Sequence, residues 1–434
     1  MTSSRDARGA LHFGGVRLAD LAADPRFPTP SYVYDLEGMT REAEDLAAGF
    51  DAKPHLIAYA VKANSAAPIV RALAAVGCGA DVVSGGELQV ALGCGVVPDK
   101  IVYSGVAKTD GELDLALGTG PAGIGAIQIE SIEEVARVAA RARALGRRGR
   151  VSLRINPAVD LAELDTHHHI ATGHDEAKFG VPRTDVGEAL AALRAEGNLD
   201  LMGLTCHVGS QFTAVEPYVL AARVVFDLAR EVRASGVALR YVDPGGGFGI
   251  DYGAGCPVRP ADFVRAARAE LRARGLDDLA LYCEPGRSLV AAHGVLLATV
   301  LQTKTERNPP AGREPRRWLL IDAGMNDLLR PALYQAVHRV VPLESTGHDG
   351  VTKVRVVGPV CESSDDFGEH AVPWPPPRHV ALLDAGAYGY TMASQYNGRA
   401  MPAEIFLQGG TVVAYKARRP PEEWVAERLA VGAS

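Results

Sequence analysis

Lys62 stands at the end of the apolar run Leu56-Ile57-Ala58-Tyr59-Ala60-Val61. An ammonium group is costly to take out of water, so a lysine beside a buried strand must be paired or have its pKa lowered. A lysine with a lowered pKa is a nucleophile suited to forming a Schiff base with a carbonyl. Lysines also end many strands for structural reasons, so Lys62 gains meaning only from its surroundings. Further polar residues stand at or near the ends of other apolar runs: Asp81, Arg154, Asn156, His207, Asp243 and Glu284. His207 leads to Gly209-Ser210-Gln211, Asp243 to Gly245-Gly246-Gly247-Phe248-Gly249, and Glu284 to Pro285-Gly286-Arg287.

Each of these has a bland reading. A histidine after a strand is commonly a satisfied polar residue, and a triple glycine is commonly a tight turn. Glycines also let backbone amides approach an anion, and the loops after the last two strands of a barrel often hold phosphate. The triple glycine is not a GxGxxG opening a helix, and the chain has no GxxxxGK[ST], so neither a dinucleotide nor a nucleoside triphosphate is favoured. A buried lysine, a phosphate cradle, an acid and a histidine together suggest pyridoxal phosphate. Lys62 would hold its aldehyde as an imine, Glu284 would keep the pyridine nitrogen protonated, and His207 would pack on the ring face.

The elements that must position these groups follow from periodicity. From residue 38 to 290 the chain alternates short apolar runs with helical patterns such as Ile132–Leu145 and Val219–Ala234. The predicted strands are Leu56–Val61, Ala80–Val83, Ile101–Ser104, Ala126–Ile129, Val151–Ile155, Leu201–Cys206, Tyr241–Val242 and Leu279–Cys283. Eight strand–helix units in about 250 residues predict an α/β fold, a closed TIM-like (β/α)8 barrel, with an open doubly wound sheet as the alternative. Polar residues at the C-terminal ends of such strands are catalytic candidates. After residue 290, short β-like runs separated by Pro/Gly/Arg-rich loops predict a mostly β second domain over 291–434, to which residues 1–37 contribute a strand at Ser31-Tyr32-Val33-Tyr34.

Composition narrows the partners. The formal net charge of the 434 residues is -7, with no basic excess to suggest nucleic acid or an anionic membrane. Residues 1–28 carry no apolar signal core and no run of about 18 apolar residues follows, which predicts a cytoplasmic protein. The six cysteines (Cys78, Cys94, Cys206, Cys256, Cys283, Cys361) lack CxxC spacing, which argues against zinc or a disulfide framework and for free thiols. His167-His168-His169 are adjacent and point in different directions, so no metal site is expected.

Nearly end to end, from Tyr32 to Glu404, the chain resembles the barrel-fold pyridoxal-phosphate decarboxylases, and within them the diaminopimelate decarboxylases. The motifs that carry the resemblance are Tyr59–Asn64, Gly79–Leu88, Thr172–Gly180, His207–Gln211, Gly245–Gly249, Glu284–Arg287, Asp322–Tyr334, Gly358–Glu362 and Asp384–Asn397. The resemblance implies decarboxylation of meso-2,6-diaminopimelate to L-lysine. It implies that Lys62 binds the cofactor aldehyde and that His207 stacks on the ring with Asp81 nearby. Ser210, Gly245, Gly246, Gly247 and Tyr388 would hold the phosphate, and Glu284 the pyridine nitrogen. Arg287, Arg330 and Tyr334 would bind substrate carboxylate, helped by Glu362 and with Tyr388 beside them. Cys361 would return a proton after CO2 leaves. It also implies a homodimer, the Cys361-Glu362 segment reaching a partner subunit's site. Apart from the motifs, Arg330 after Leu328-Leu329 reads as a surface or packing residue and Cys361 as a buried apolar thiol.

The chain departs from the family at Thr166-His167-His168-His169-Ile170, where Thr-His-Glu, an aromatic residue and Ile are usual, and at Ser363-Ser364-Asp365-Asp366-Phe367 after Cys-Glu. The histidine segment lies near the substrate's distal end in the family. It leaves open the same chemistry on another diamino acid, a carboxylated polyamine precursor or a carrier-tethered amino acid. An inert relative would be expected to lose Lys62 or Cys361, and a racemase would need a second base where Gly358–Glu362 supplies a thiol.

Overall fold

Eight short strands form a parallel sheet that closes on itself: β1 (His55–Ala60), β2 (Gly79–Val82), β3 (Ile101–Tyr103), β4 (Ala126–Ile129), β5 (Gly149–Asn156), β6 (Leu199–Thr205), β7 (Tyr241–Asp243) and β8 (Ala280–Cys283). This is a computed structural model, and it describes residues 3–158, 178–256, 258–345 and 350–430. Closure is made where β8 pairs with β1, Leu281 beside His55, and where β4 pairs with β5, Ile127 beside Val151. β2, β3 and β4 are buried at every position. A strand covered on both faces has no reason to alternate, which is why these segments read as continuous apolar runs. The predicted barrel is therefore the fold observed, and closure decides against the open sheet.

The helices between the strands start where the sequence supplies caps. Ser84, Thr109 and Ser131 each accept a hydrogen bond from the amide three residues on, at Glu87, Glu112 and Glu134. Those three glutamates carry the matching half of the signal, since a Ser/Thr-x-x-Glu pattern satisfies the orphan amides of a helix start.

The barrel belongs to a unit made of Thr40–Ile250 and Cys256–Leu289; a second unit is made of Met1–Met39, Asp251–Gly255 and Val290–Ser434. The second unit is built on a nine-stranded sheet. Its centre is the fully buried strand Ser31–Asp35, antiparallel to Gly294–Thr305 and parallel to Ala403–Gln408, so that Val33 sits between Val295 and Ile405. Leu11, Phe13, Leu18, Leu297, Ala381 and Leu407 complete that core. The N-terminal strand thus joins the β-rich part, as predicted. Asp366–Pro373 and Thr411–Lys416 are strands that the sequence did not announce. Thr411–Lys416 is mostly exposed and, among the described residues, pairs only with Ala403–Gln408; an edge strand needs no apolar face. Among the described residues no helix is long and apolar enough to cross a membrane.

Candidate active site

β1 ends in a single 3-10 turn, Val61–Ala63. Tyr59 Oη donates to the Asn64 carbonyl at 2.8 Å, and Asn64 Oδ1 accepts from the Ala66 amide at 3.1 Å, so the chain bends away at once from the strand. The Ala60 amide donates to the Pro285 carbonyl at 3.0 Å, tying this bend to the loop after β8. Lys62 leaves the bend and places Nζ 2.9 Å from Asp81 Oδ2; the lysine side chain is 36% exposed and the aspartate 0%. The expectation of a buried lysine is corrected here: the turn carries Lys62 past the strand end, and a buried carboxylate holds an amine that keeps contact with solvent.

Around this pair lies a cluster of buried acids. Asp81 also accepts from Ser104 Oγ. Gln128 Nε2 donates to Glu284 Oε1 at 2.6 Å. Glu130 takes Arg154 Nη1 at 2.8 Å and the amides of Gly105 and Gly180 at 2.9 and 2.8 Å. Asp243 Oδ1 accepts from the Gly245 amide at 2.8 Å. Burial pushes the carboxyls of Asp243 and Glu284 up, Glu284 well above the usual range, and the negative charge of Asp81 pushes both further. Lys62 and Arg154 oppose this for Glu284, but each already faces its own carboxylate, Asp81 and Glu130. A protonated ring nitrogen at Glu284 would supply a cation to this excess of buried acid, so the donor set fits pyridoxal phosphate.

His207 follows β6. The Gly246 amide donates to its Nδ1 at 3.3 Å, which leaves the proton of the neutral ring on Nε2. Burial, then the charges of Lys62 and Arg154, hold the imidazole well below its usual pKa. A neutral, fixed ring suits a face against an aromatic cofactor. The glycine loop is shaped by close packing. A Cβ on Gly245 would overlap the Cys206 carbonyl, on Gly246 the Glu284 carbonyl, and on Gly247 the Gly209 carbonyl. The amides of Gly245 and Gly246 are engaged by Asp243 and His207, so the loop is not a simple ring of amides awaiting an anion. Arg287, 7% exposed, donates from Nη2 to Ser210 Oγ at 3.0 Å.

The barrel unit therefore brings together Lys62, Asp81, His207, Ser210, Gly245, Gly246, Gly247, Glu284 and Arg287. The remaining predicted residues belong to the second unit. Arg330 and Tyr334 lie on the short helix Arg330–Tyr334. Arg330 is 6% exposed and donates to His338 Nε2 at 2.8 Å, which corrects its reading as a surface residue and leaves that of a buried, packed one standing. Cys361 and Glu362 are exposed in the loop between the strands Val351–Val357 and Asp366–Pro373, so the buried-thiol reading is corrected as well. That loop is stapled rather than apolar. Asp365 accepts from the amides of Val360 and Met325, both at 2.6 Å; Asn397 Oδ1 accepts from the Cys361 amide at 2.8 Å; Tyr396 Oη donates to Glu362 at 2.6 Å. Tyr388 is half-buried with a left-handed φ of 55°. The segment Thr166–Ile170 lies outside the described residues. Of Thr172–Gly180 only the last three are described, with Arg154 over the Phe179 ring at 4.8 Å.

Sequence reasoning missed Ser104, Gln128 and Glu130. The signal was available: they stand at or next to the ends of β3 and β4, the two strands for which no polar candidate was named.

Residues 36–291 match the family model described as pyridoxal-dependent decarboxylase, pyridoxal binding domain. With the barrel and its lysine, histidine and acids, this defines a pyridoxal-phosphate-dependent amino-acid decarboxylase. Among curated relatives, the diaminopimelate decarboxylase of Pseudomonas aeruginosa is 39% identical over 98% of this chain and 97% of its own, and that of Pseudomonas fluorescens 38% over 97% and 96%. Among solved structures, diaminopimelate decarboxylase from Helicobacter pylori complexed with L-lysine has a TM-score of 0.84 at 36% identity, covering 93% of this chain and 98% of that one. The chain belongs to the diaminopimelate decarboxylase family.

Proposed function

We propose that this enzyme removes CO2 from meso-2,6-diaminopimelate to give L-lysine. The observation that carries the reading is the convergence of Lys62, His207 and Glu284 at the ends of β1, β6 and β8, in a chain that matches diaminopimelate decarboxylases over nearly its whole length. Pyridoxal phosphate, when bound, supplies an aldehyde that combines with amines and a ring that draws electrons from the bond to the departing carboxylate. Lys62 would hold it at the aldehyde, Glu284 at the ring nitrogen, His207 against the ring, and Ser210, Gly245, Gly246, Gly247 and Tyr388 at the phosphate.

The residues of the chain do the rest. Asp81 orients the Lys62 amine. Gln128 fixes the Glu284 carboxyl. Arg287, Arg330 and Tyr334, with Glu362, bind and orient the substrate. Arginine suits this because its planar fork takes a carboxylate with two parallel hydrogen bonds. Cys361 Sγ delivers a proton to the substrate Cα once CO2 has left, ordinary general acid catalysis by a thiol. A thiol with that task must work away from bulk water, yet the Cys361-Glu362 loop is exposed. This supports a homodimer in which the loop serves the partner's site. Six free thiols, one of them exposed, support a cytoplasmic setting.

Steady-state assays comparing meso-diaminopimelate with lysine, ornithine and arginine test the substrate. A site that pairs with a second carboxylate rejects an analogue lacking it, by roughly a hundredfold or more in kcat/KM. Equal turnover of ornithine would refute the assignment.

A further inference from the structure

Arg330 is buried, and one of its partners is a histidine. His338 is 1% exposed and accepts from Arg330 Nη1 at Nε2, 2.8 Å away; its Nδ1 lies 2.9 Å from the Leu383 carbonyl. A guanidinium can only donate and a carbonyl can only accept. The two bonds together allow one state of the ring, neutral with its proton on Nδ1. The sheet holds the ring in place: Val340–Pro342, two residues on, pairs with His379–Leu382, and the Leu383 amide returns a bond to the Arg339 carbonyl at 2.9 Å. Tyr252, on the Asp251–Gly255 segment of the same unit, completes the enclosure. Its ring meets His338 edge-on at 5.6 Å, and Arg330 Cζ lies 5.1 Å from its centroid. That segment is shaped by Asp251 Oδ1, which accepts from the amides of Gly253 and Gly255.

A neutral acceptor turns the guanidinium without cancelling its charge, whereas a carboxylate in the same place would compete with a ligand for it. Decarboxylation of a diamino dicarboxylic acid removes one carboxylate and keeps the other. A cation bound to the departing group would stabilise the ground state more than the transition state, so an arginine belongs on the retained one. We propose that His338 is the positioning residue for Arg330, its neutral imidazole holding the guanidinium in the orientation that takes the substrate's retained carboxylate. This rests on the assignment of Arg330 to substrate binding. Since L-lysine keeps that carboxylate, the device acts on product affinity and KM rather than on kcat.

The test is calorimetric titration of L-lysine into cofactor-loaded wild type, His338→Phe, His338→Gln and Arg330→Lys, together with KM and kcat for meso-diaminopimelate. His338→Phe is expected to weaken lysine binding and raise KM about tenfold, the scale of one misdirected charge-assisted hydrogen bond, with kcat kept within about twofold. His338→Gln, whose amide oxygen accepts from Arg330, recovers most of both. Unchanged affinity in His338→Phe, or a loss confined to kcat, overturns the proposal. If Arg330→Lys also leaves lysine affinity untouched, the assignment of Arg330 has failed; if Arg330→Lys weakens it and His338→Phe does not, only the role of His338 has failed. Should His338→Phe not fold, the 15N shifts of the wild-type ring, identified by their loss in His338→Gln, decide the matter: a neutral Nδ1–H tautomer near neutral pH is expected, and an Nε2–H tautomer or an imidazolium overturns it.

Discussion

Glu284 is expected to make the cofactor-free enzyme less stable as pH rises. Its carboxyl is held well above the usual glutamate range by burial first, and then by the charges of Asp81 and Asp243. Above that range the unfolded chain has released the proton while the folded chain keeps it, so the folded state binds more protons and stability falls with rising pH. Glu284→Gln cannot ionise. Its stability relative to wild type, read from urea midpoints, should therefore increase from pH 5 to pH 8, by at most about 1.4 kcal/mol per pH unit. A difference independent of pH would mean that Glu284 is not the strained group. Cys361→Ala tests the proton donor. Product formation should fall on the order of a hundredfold while the visible absorption of bound cofactor stays intact; unchanged turnover removes Cys361 from that role. At this scale the sequence exposed Lys62, His207 and Glu284 because each follows an apolar run, and Arg330 and Cys361 only through their motifs. Gln128 and His338 stayed hidden because their roles come from partners: Gln128 meets Glu284 at a separation of 156 residues, which no local pattern shows.

The glycine loop after β7 makes its prediction at the scale of elements. A Cβ on Gly246 would overlap the Glu284 carbonyl, a backbone atom with nowhere to move. Gly246→Ala should cost about 1–3 kcal/mol of stability, the usual penalty for overpacking, and should also weaken cofactor binding because Gly246 anchors His207. Chemical denaturation and cofactor titration measure the two effects; wild-type values in both would show that the loop tolerates a side chain. The barrel strands were legible as elements because strands buried on both faces leave uninterrupted apolar runs. The second unit was less so. Thr411–Lys416 is largely exposed and Asp366–Pro373 is mixed in burial, so neither leaves a clear period. The segment Asp251–Gly255 was also invisible: it lies between β7 and β8 in the chain yet belongs with the second unit.

The whole molecule is predicted to work as a dimer with shared sites. Lys62→Ala should be inactive alone, and Cys361→Ala should retain no more than about a hundredth of wild-type activity. If each site draws Lys62 from one subunit and Cys361 from the other, random exchange of the two variants restores about a quarter of wild-type activity, since half the dimers are mixed and each carries one intact site. No recovery under conditions that exchange subunits would place both residues in one chain's site. At this scale the sequence conveyed the two-part architecture and the family, because the motifs run from one end of the chain to the other. The central claim is that this barrel, through Lys62, converts meso-diaminopimelate to lysine. Mass spectrometry of products from the cofactor-loaded enzyme tests it most directly. Lysine formed promptly by wild type and absent with Lys62→Ala is the predicted result; no lysine from wild type, or the same yield from Lys62→Ala, would contradict it.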